Sequence, residues 1–196
     1  MYKLQRRAPL DTTKYTPPPI EDRSGPVLTQ GAIFGMIRMV AADECSPEAL
    51  DAIAATDGGA WYHGQLLETI LSELEDRDPS LPHDVGRNIY FMFRAQLEQI
   101  GLVSVEDVFT HMAALWKNVA RGDGGEMQGR LLGPGRAELV MEQPWNCRFE
   151  EGGLRGMLEA FGAKNLCIEH RPCMRDGAPR CVLTVTWDPE APAPRR

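Results

Sequence analysis

Residues 165–187 read Asn165-Leu-Cys-Ile-Glu-His-Arg-Pro-Cys-Met-Arg-Asp-Gly-Ala-Pro-Arg-Cys-Val-Leu-Thr-Val-Thr-Trp187. Two β-like runs, 165–171 and 181–187, flank a loop containing Gly177 and Pro179, the pattern of a hairpin. Val182, Thr184 and Thr186 alternate with Leu183, Val185 and Trp187, the two-residue period of a strand with unequal faces. Upstream, the stretch from Phe149 to Phe161 carries Leu154, Met157, Leu158 and Phe161 at helical spacing, and Gly162 is its stop. Further upstream, Glu126–Leu132 and Ala137–Glu142 flank Gly133-Pro134-Gly135-Arg136 and predict a first hairpin. The last third of the chain therefore supplies most of the sheet.

The preceding residues read as helices. Ala32, Ile33, Met36, Ile37, Met39 and Val40 form an apolar stretch after Gly31. Ser46-Pro47-Glu48 places a capping serine before a proline at the first helical position. Leu66, Leu67, Ile70, Leu71 and Leu74 recur at steps of three and four between Trp61 and Leu74. Pro79 to Pro82 breaks the chain, and Asp84 to Ile100 aligns Ile89, Phe93, Leu97 and Ile100. Ser104 and Asp107 resemble a capping box and open a helix through Val119. This order predicts an α+β fold, with N-terminal helices packed on a twisted antiparallel sheet formed mainly by the C-terminal third. The folded domain is predicted over 29–188. Residues 1–28, with Pro17-Pro18-Pro19 and no apolar periodicity, read as a flexible proline-rich tail, and 189–196 as another.

The chain has 196 residues, 43% apolar and 25% charged, enough for one domain with a buried core. A net charge of −7 argues against nucleic acid as a partner, which needs a basic face. No apolar run approaches the roughly 20 residues of a membrane span. No apolar stretch follows Met1-Tyr-Lys-Leu-Gln-Arg-Arg, so no secretory signal is expected. The expectation is a cytoplasmic, reducing location with no membrane partner.

In that setting five cysteines stand out. Cys45 is isolated, whereas Cys147, Cys167, Cys173 and Cys181 cluster near the end. Such clustering under reducing conditions points to metal or redox chemistry before disulfides. Zinc(II) takes four ligands in a tetrahedron and favours thiolate and imidazole. Cys173 and Cys181 stand at the two ends of the last hairpin's loop, His170 precedes Cys173 by three residues, and the helix over 149–161 returns the chain toward Cys147. These four compose a Cys₃His set, leaving Cys167 as a small buried apolar residue. Two other readings use the same residues: plain core cysteines, or a Cys173–Cys181 redox pair, although the common Cys-x-x-Cys spacing is absent.

The stretch Gly156-Met-Leu-Glu-Ala-Phe-Gly162, followed by Cys167-Ile-Glu-His-Arg-Pro-Cys173 and by Cys181 with its β run, resembles the end of a 4-vinyl-reductase-like domain. The likeness covers about residues 125–187. Over 29–121 the helical order, with Gly31-Ala-Ile-Phe and Pro134-Gly-Arg-Ala further on, suggests the related heme-nitric-oxide-binding-like and trafficking-subunit fold. The resemblance implies a module that binds a ligand or a protein. It also implies a structural zinc, because zinc-binding sensor members use an upstream Cys, a Glu and two further Cys. Cys147, Cys173 and Cys181 match the three sulfurs. His170 falls where those sensors carry Glu, and Glu169 stands one residue away. Dimers are common in the related fold, so a homodimer or a partner signalling protein is expected. Heme sensors of that fold carry Tyr-x-Ser-x-Arg, which this chain lacks, so heme is not expected.

Trp116, Trp145, Tyr90 and His111 are candidates for a pocket taking a small apolar or aromatic ligand. Their plainer reading is ordinary core or, for His111, a helix surface. Gly31-x-x-x-Gly35 and Gly152-Gly153-x-x-Gly156 are followed by no Lys-Ser/Thr and read as close helix packing or turns, not phosphate loops. No Gly-x-Ser-x-Gly elbow or dinucleotide fingerprint occurs. The expectation is a non-catalytic sensory or adaptor module. A tetrapyrrole-pathway accessory or reductase-like enzyme and a ligand-free scaffold are the alternatives.

Overall fold

The computed structural model describes residues 4–189. In chain order the elements are β1 (Lys14–Tyr15), β2 (Leu28–Gln30), α1 (Ala32–Ala41), α2 (Pro47–Ala54), β3 (Trp61–His63), α3 (Gly64–Arg77), α4 (Leu81–Met92), α5 (Arg94–Gln99) and α6 (Val105–Val119). There follow β4 (Ala120–Arg121), β5 (Glu126–Gly133), β6 (Arg136–Glu142), α7 (Cys147–Ala160), β7 (Cys167–His170) and β8 (Cys181–Thr186). The architecture is α+β: the larger sheet, in the order β5-β6-β8-β7, comes from the C-terminal third, as its period-two pattern predicts.

Local chemistry sets the element ends. Ser46 Oγ accepts the Ala49 N–H at 3.1 Å, and Ser104 Oγ accepts that of Asp107 at 3.1 Å, so both act as helix caps. Asn146 Oδ1 accepts from Arg148 N at 3.0 Å and starts α7 two residues before Phe149. Pro82 lies inside the first turn of α4, where a missing N–H costs nothing, so the helix begins earlier than the proline suggests. The long helix expected over 84–100 is divided at Phe93 into α4 and α5.

A second four-stranded antiparallel sheet, β1-β3-β2-β4, is absent from the sequence reading. Its strands have two or three residues each, too few to show alternation. It also revises the expected tail. Lys14 and Tyr15 pair with Tyr62 and Trp61, Arg7 pairs with Asp76 at 2.7 Å, and Arg6 pairs with Glu75 and Asp76. The described part of 1–28 is thus docked by long-range partners that no local pattern announces. Residues 1–3 and 190–196 of the two expected tails lie outside the described residues.

The helical and sheet halves share one apolar core, with Phe34, Tyr62, Phe109 and Phe149 fully buried. The contact between α4 and α7 positions the functional region. A Cβ on Gly86 would lie 2.2 Å from the Phe149 carbonyl oxygen, and one on Gly152 would lie 1.9 Å from that of His83. The two backbones therefore approach only because both positions are glycine.

Candidate metal centre and adjoining chamber

Three pieces of chain converge at one end of α7. Cys147 opens that helix, His170 ends β7, Cys173 begins the β7–β8 connection and Cys181 begins β8. One donor atom from each lies within 4.8 Å of every other. The Cys147 and Cys173 sulfurs are 3.4 Å apart, and those of Cys173 and Cys181 are 3.9 Å apart. All five cysteines are free thiols. The connection folds back on itself: Ala178 N–H donates to the Cys173 carbonyl at 3.2 Å, and Gly177 adopts φ 91°. Met174 N–H donates to the Cys181 sulfur at 3.2 Å.

Strand alternation decides between the two candidate fourth ligands. Glu169 pairs across from Thr184 and His170 from Leu183, so their side chains leave opposite faces of the sheet. Glu169 is exposed, and His170 turns inward. His170 Nδ1 meets Glu151 Oε2 at 2.9 Å, while its buried Nε2 has no hydrogen-bond partner. A carboxylate on one ring nitrogen fixes the tautomer and directs the other toward a ligand role. Cys167, expected to be buried, is exposed on the edge strand β7.

The cluster is electrostatically strained as a set of thiols. The neighbouring Cys181 sulfur and burial both push the Cys147 thiol up. Cys181 is drawn down to about 4, first by its contact with Cys147, against burial, and then by His170. For His170, burial opposes the charge, but the Cys181 sulfur and Glu151 outweigh it and hold the imidazole up to about 10. A divalent cation would remove this sharing of protons, because bound thiols are deprotonated outright.

The connection is tied to α3 as well. Arg175 donates to Glu75 at 2.5 Å and to Glu68 at 3.3 Å. Burial pushes Glu68 up to about 7 despite Arg175. Beside the cluster a cleft of about 500 Å³ is lined by Cys147, His170 and Cys173 among others, giving solvent a path to the donors.

One turn further along α7 lies an apolar chamber in two parts, of about 270 and 290 Å³, which share Tyr90, Leu97, Ile100, Trp116, Val119 and Glu150. Trp145 joins the first part, and its ring meets that of Trp116 edge-on at 5.4 Å. Both indole N–H groups are engaged by backbone: Trp116 donates to the Gly124 carbonyl at 3.2 Å and Trp145 to that of Gly64 at 3.0 Å. The indoles therefore offer only carbon to the chamber. Its polar lining residues are Thr29, Gln30, Tyr90, Gln96, Asn118 and Glu150, and Glu150 is the one acid among them. Burial, with Glu68 nearby, pushes Glu150 up to about 8, and burial pushes the Tyr90 phenol up.

Of the expected pocket residues, Trp116, Trp145 and Tyr90 line this chamber. His111 does not: it is exposed on α6 and turns back to within 2.9 Å of the Asp107 carbonyl oxygen. Glu150 and Glu151 escaped the sequence reading. Glu150 shares the helical stripe of Gly153, Leu154 and Met157, and a carboxylate within an apolar stripe is the signal that marks it.

No protein-family model matches the chain, and no curated protein does either. Solved structures do match. A triple mutant of an H-NOX protein from S. oneidensis, in the Fe(II) ligation state, superposes with a TM-score of 0.68 at 16% identity, covering 85% of this chain and 100% of that one. An H-NOX protein from S. oneidensis in the Fe(II)NO ligation state gives 0.67 at 17% identity, covering 82% and 99%. A structure from work on heme distortion in the H-NOX family gives 0.61 at 12%, covering 85% and 97%. The fold is that of the H-NOX proteins. This corrects the 4-vinyl-reductase-like resemblance, which rested on about residues 125–187, whereas the H-NOX match covers 85% of the chain and so runs through the helical half too. The zinc-sensor type of that family is corrected with it, while the four donors compose a cluster that could hold a metal ion.

Proposed function

We propose that this protein is a non-catalytic sensory module: a structural zinc held by Cys147, His170, Cys173 and Cys181 braces one side of an apolar ligand chamber, and a partner protein or second copy reads the result. The observation carrying this reading is the Cys₃His convergence, with an otherwise unpartnered His170 nitrogen, one helical turn from the chamber. Among available divalent ions, zinc is the one that four such donors suit best. Four protein donors leave no open position for water, which favours a structural over a hydrolytic role. Phe91, Met92, Ile100 and Val103, exposed on and just beyond α4 and α5, are apolar side chains next to the chamber wall in sequence and suit contact with a partner. No helix among the described residues is long and apolar enough to cross a membrane.

The H-NOX structures are described by their iron ligation and heme distortion. The residues here do not fit that group. No histidine or cysteine lines the chamber. The Tyr90 phenol resists the ionisation that iron ligation requires. No lysine or arginine lines the chamber to receive propionates, and a carboxyl group faces it instead.

Elemental analysis of the purified full chain tests the metal. One zinc per chain is expected, with none retained in Cys147→Ser or Cys173→Ser. Full zinc content in both variants would overturn the site.

A further inference from the structure

The chamber's chemistry is unbalanced. Its lining is mostly apolar, with Thr29, Gln30, Gln96 and Asn118 as neutral polar members; it contains no lysine, arginine or histidine, and includes one acid, Glu150, beside the Tyr90 hydroxyl. Neither group has a hydrogen-bond partner among the described residues. Polar groups that face a cavity without a protein partner are the ones that orient a ligand there. A second acid, Glu68, acts on Glu150 from α3, while its own cation, Arg175, is shared with Glu75. The chamber therefore holds an acid able to give up its proton to an entering base, and its lining offers no cation to receive an anion. An anionic ligand would meet Glu150 with no compensating cation. A cationic head would be received by the carboxylate and by the carbon faces of Trp116 and Trp145, whose N–H groups are already occupied. The remaining volume suits a hydrocarbon or aromatic body.

We infer that the chamber binds a small apolar amine, with its hydrocarbon part beside Trp116 and Trp145 and its ammonium on Glu150, Tyr90 assisting. This rests on the reading of the chamber as the ligand site of a sensory module, and it names the ligand class.

Binding of 2-phenylethylamine, 2-phenylethanol and phenylacetate to the full chain, followed by calorimetry and tryptophan fluorescence, tests it. The amine is expected to bind at least about ten-fold more tightly than the alcohol, the difference a charge-assisted hydrogen bond makes, and phenylacetate weakest of all. In Glu150→Gln the amine's advantage over the alcohol should fall to about two-fold or less, with an unchanged circular dichroism spectrum showing the variant to be folded. Equal binding of amine and alcohol to the parent protein, or an undiminished preference in Glu150→Gln, would overturn the amine and leave the chamber standing. No binding of any of the three would overturn both. Hemin taken up with the spectrum of ligated iron would overturn the amine as well.

Discussion

At the scale of single residues, two glutamates on α7 divide the work. Glu151 holds the His170 ring at 2.9 Å. Glu151→Gln keeps the shape but loses the charge, so zinc affinity measured by competition with a chromogenic chelator should fall roughly 10- to 100-fold. Glu150 answers to burial instead. Its folded pKa of about 8 lies above the ordinary carboxylate value. A raised acid favours the folded state while protonated, and this advantage is lost as pH climbs from the unfolded value through the folded one. Glu150→Gln, which stays neutral, should match the parent's stability at pH 5. It should exceed it at pH 8.5 by on the order of 2 kcal/mol or more, as read by urea denaturation.

At the scale of elements, the close approach of α4 and α7 is the joint on which both sites depend. Gly152→Ala would set a methyl group 1.9 Å from the His83 carbonyl oxygen, a backbone atom that cannot swing aside. It should destabilise the protein by on the order of 3 kcal/mol, seen in thermal or chemical denaturation. Gly35 has nothing within 4 Å of its missing Cβ. It sits in α1, so Gly35→Ala should be neutral or slightly stabilising. The same periodic logic made most helices readable, since leucines at three- and four-residue steps admit one interpretation. It failed for β1 to β4, because pairs and triplets of residues carry no period, and for the break at Phe93, which leaves helical geometry at φ −90° and ψ 14° although the apolar pattern runs through it.

At the scale of the whole molecule, the metal is expected to brace a fold that already has its own core. Phe34, Tyr62 and Phe109 are fully buried on elements that carry none of the four donors. Chelation should therefore lower the melting temperature by roughly 10 °C without loss of the helical circular dichroism signal. Complete unfolding on chelation would show the cluster to be the core's foundation instead.

The α+β class, the C-terminal sheet and the Cys₃His set were legible in the chain because each depends on local period or on ligand-type residues at the ends of one hairpin. What excludes Glu169 as the fourth ligand was not, since it turns on which face of β7 looks inward, and that is set by pairing with β8. Nor was the docking of residues 4–28, the exclusion of His111 from the chamber, or the meeting of Glu150 with Tyr90. Each of these depends on groups brought together from distant parts of the chain, and only packing in three dimensions decides which of them share a space.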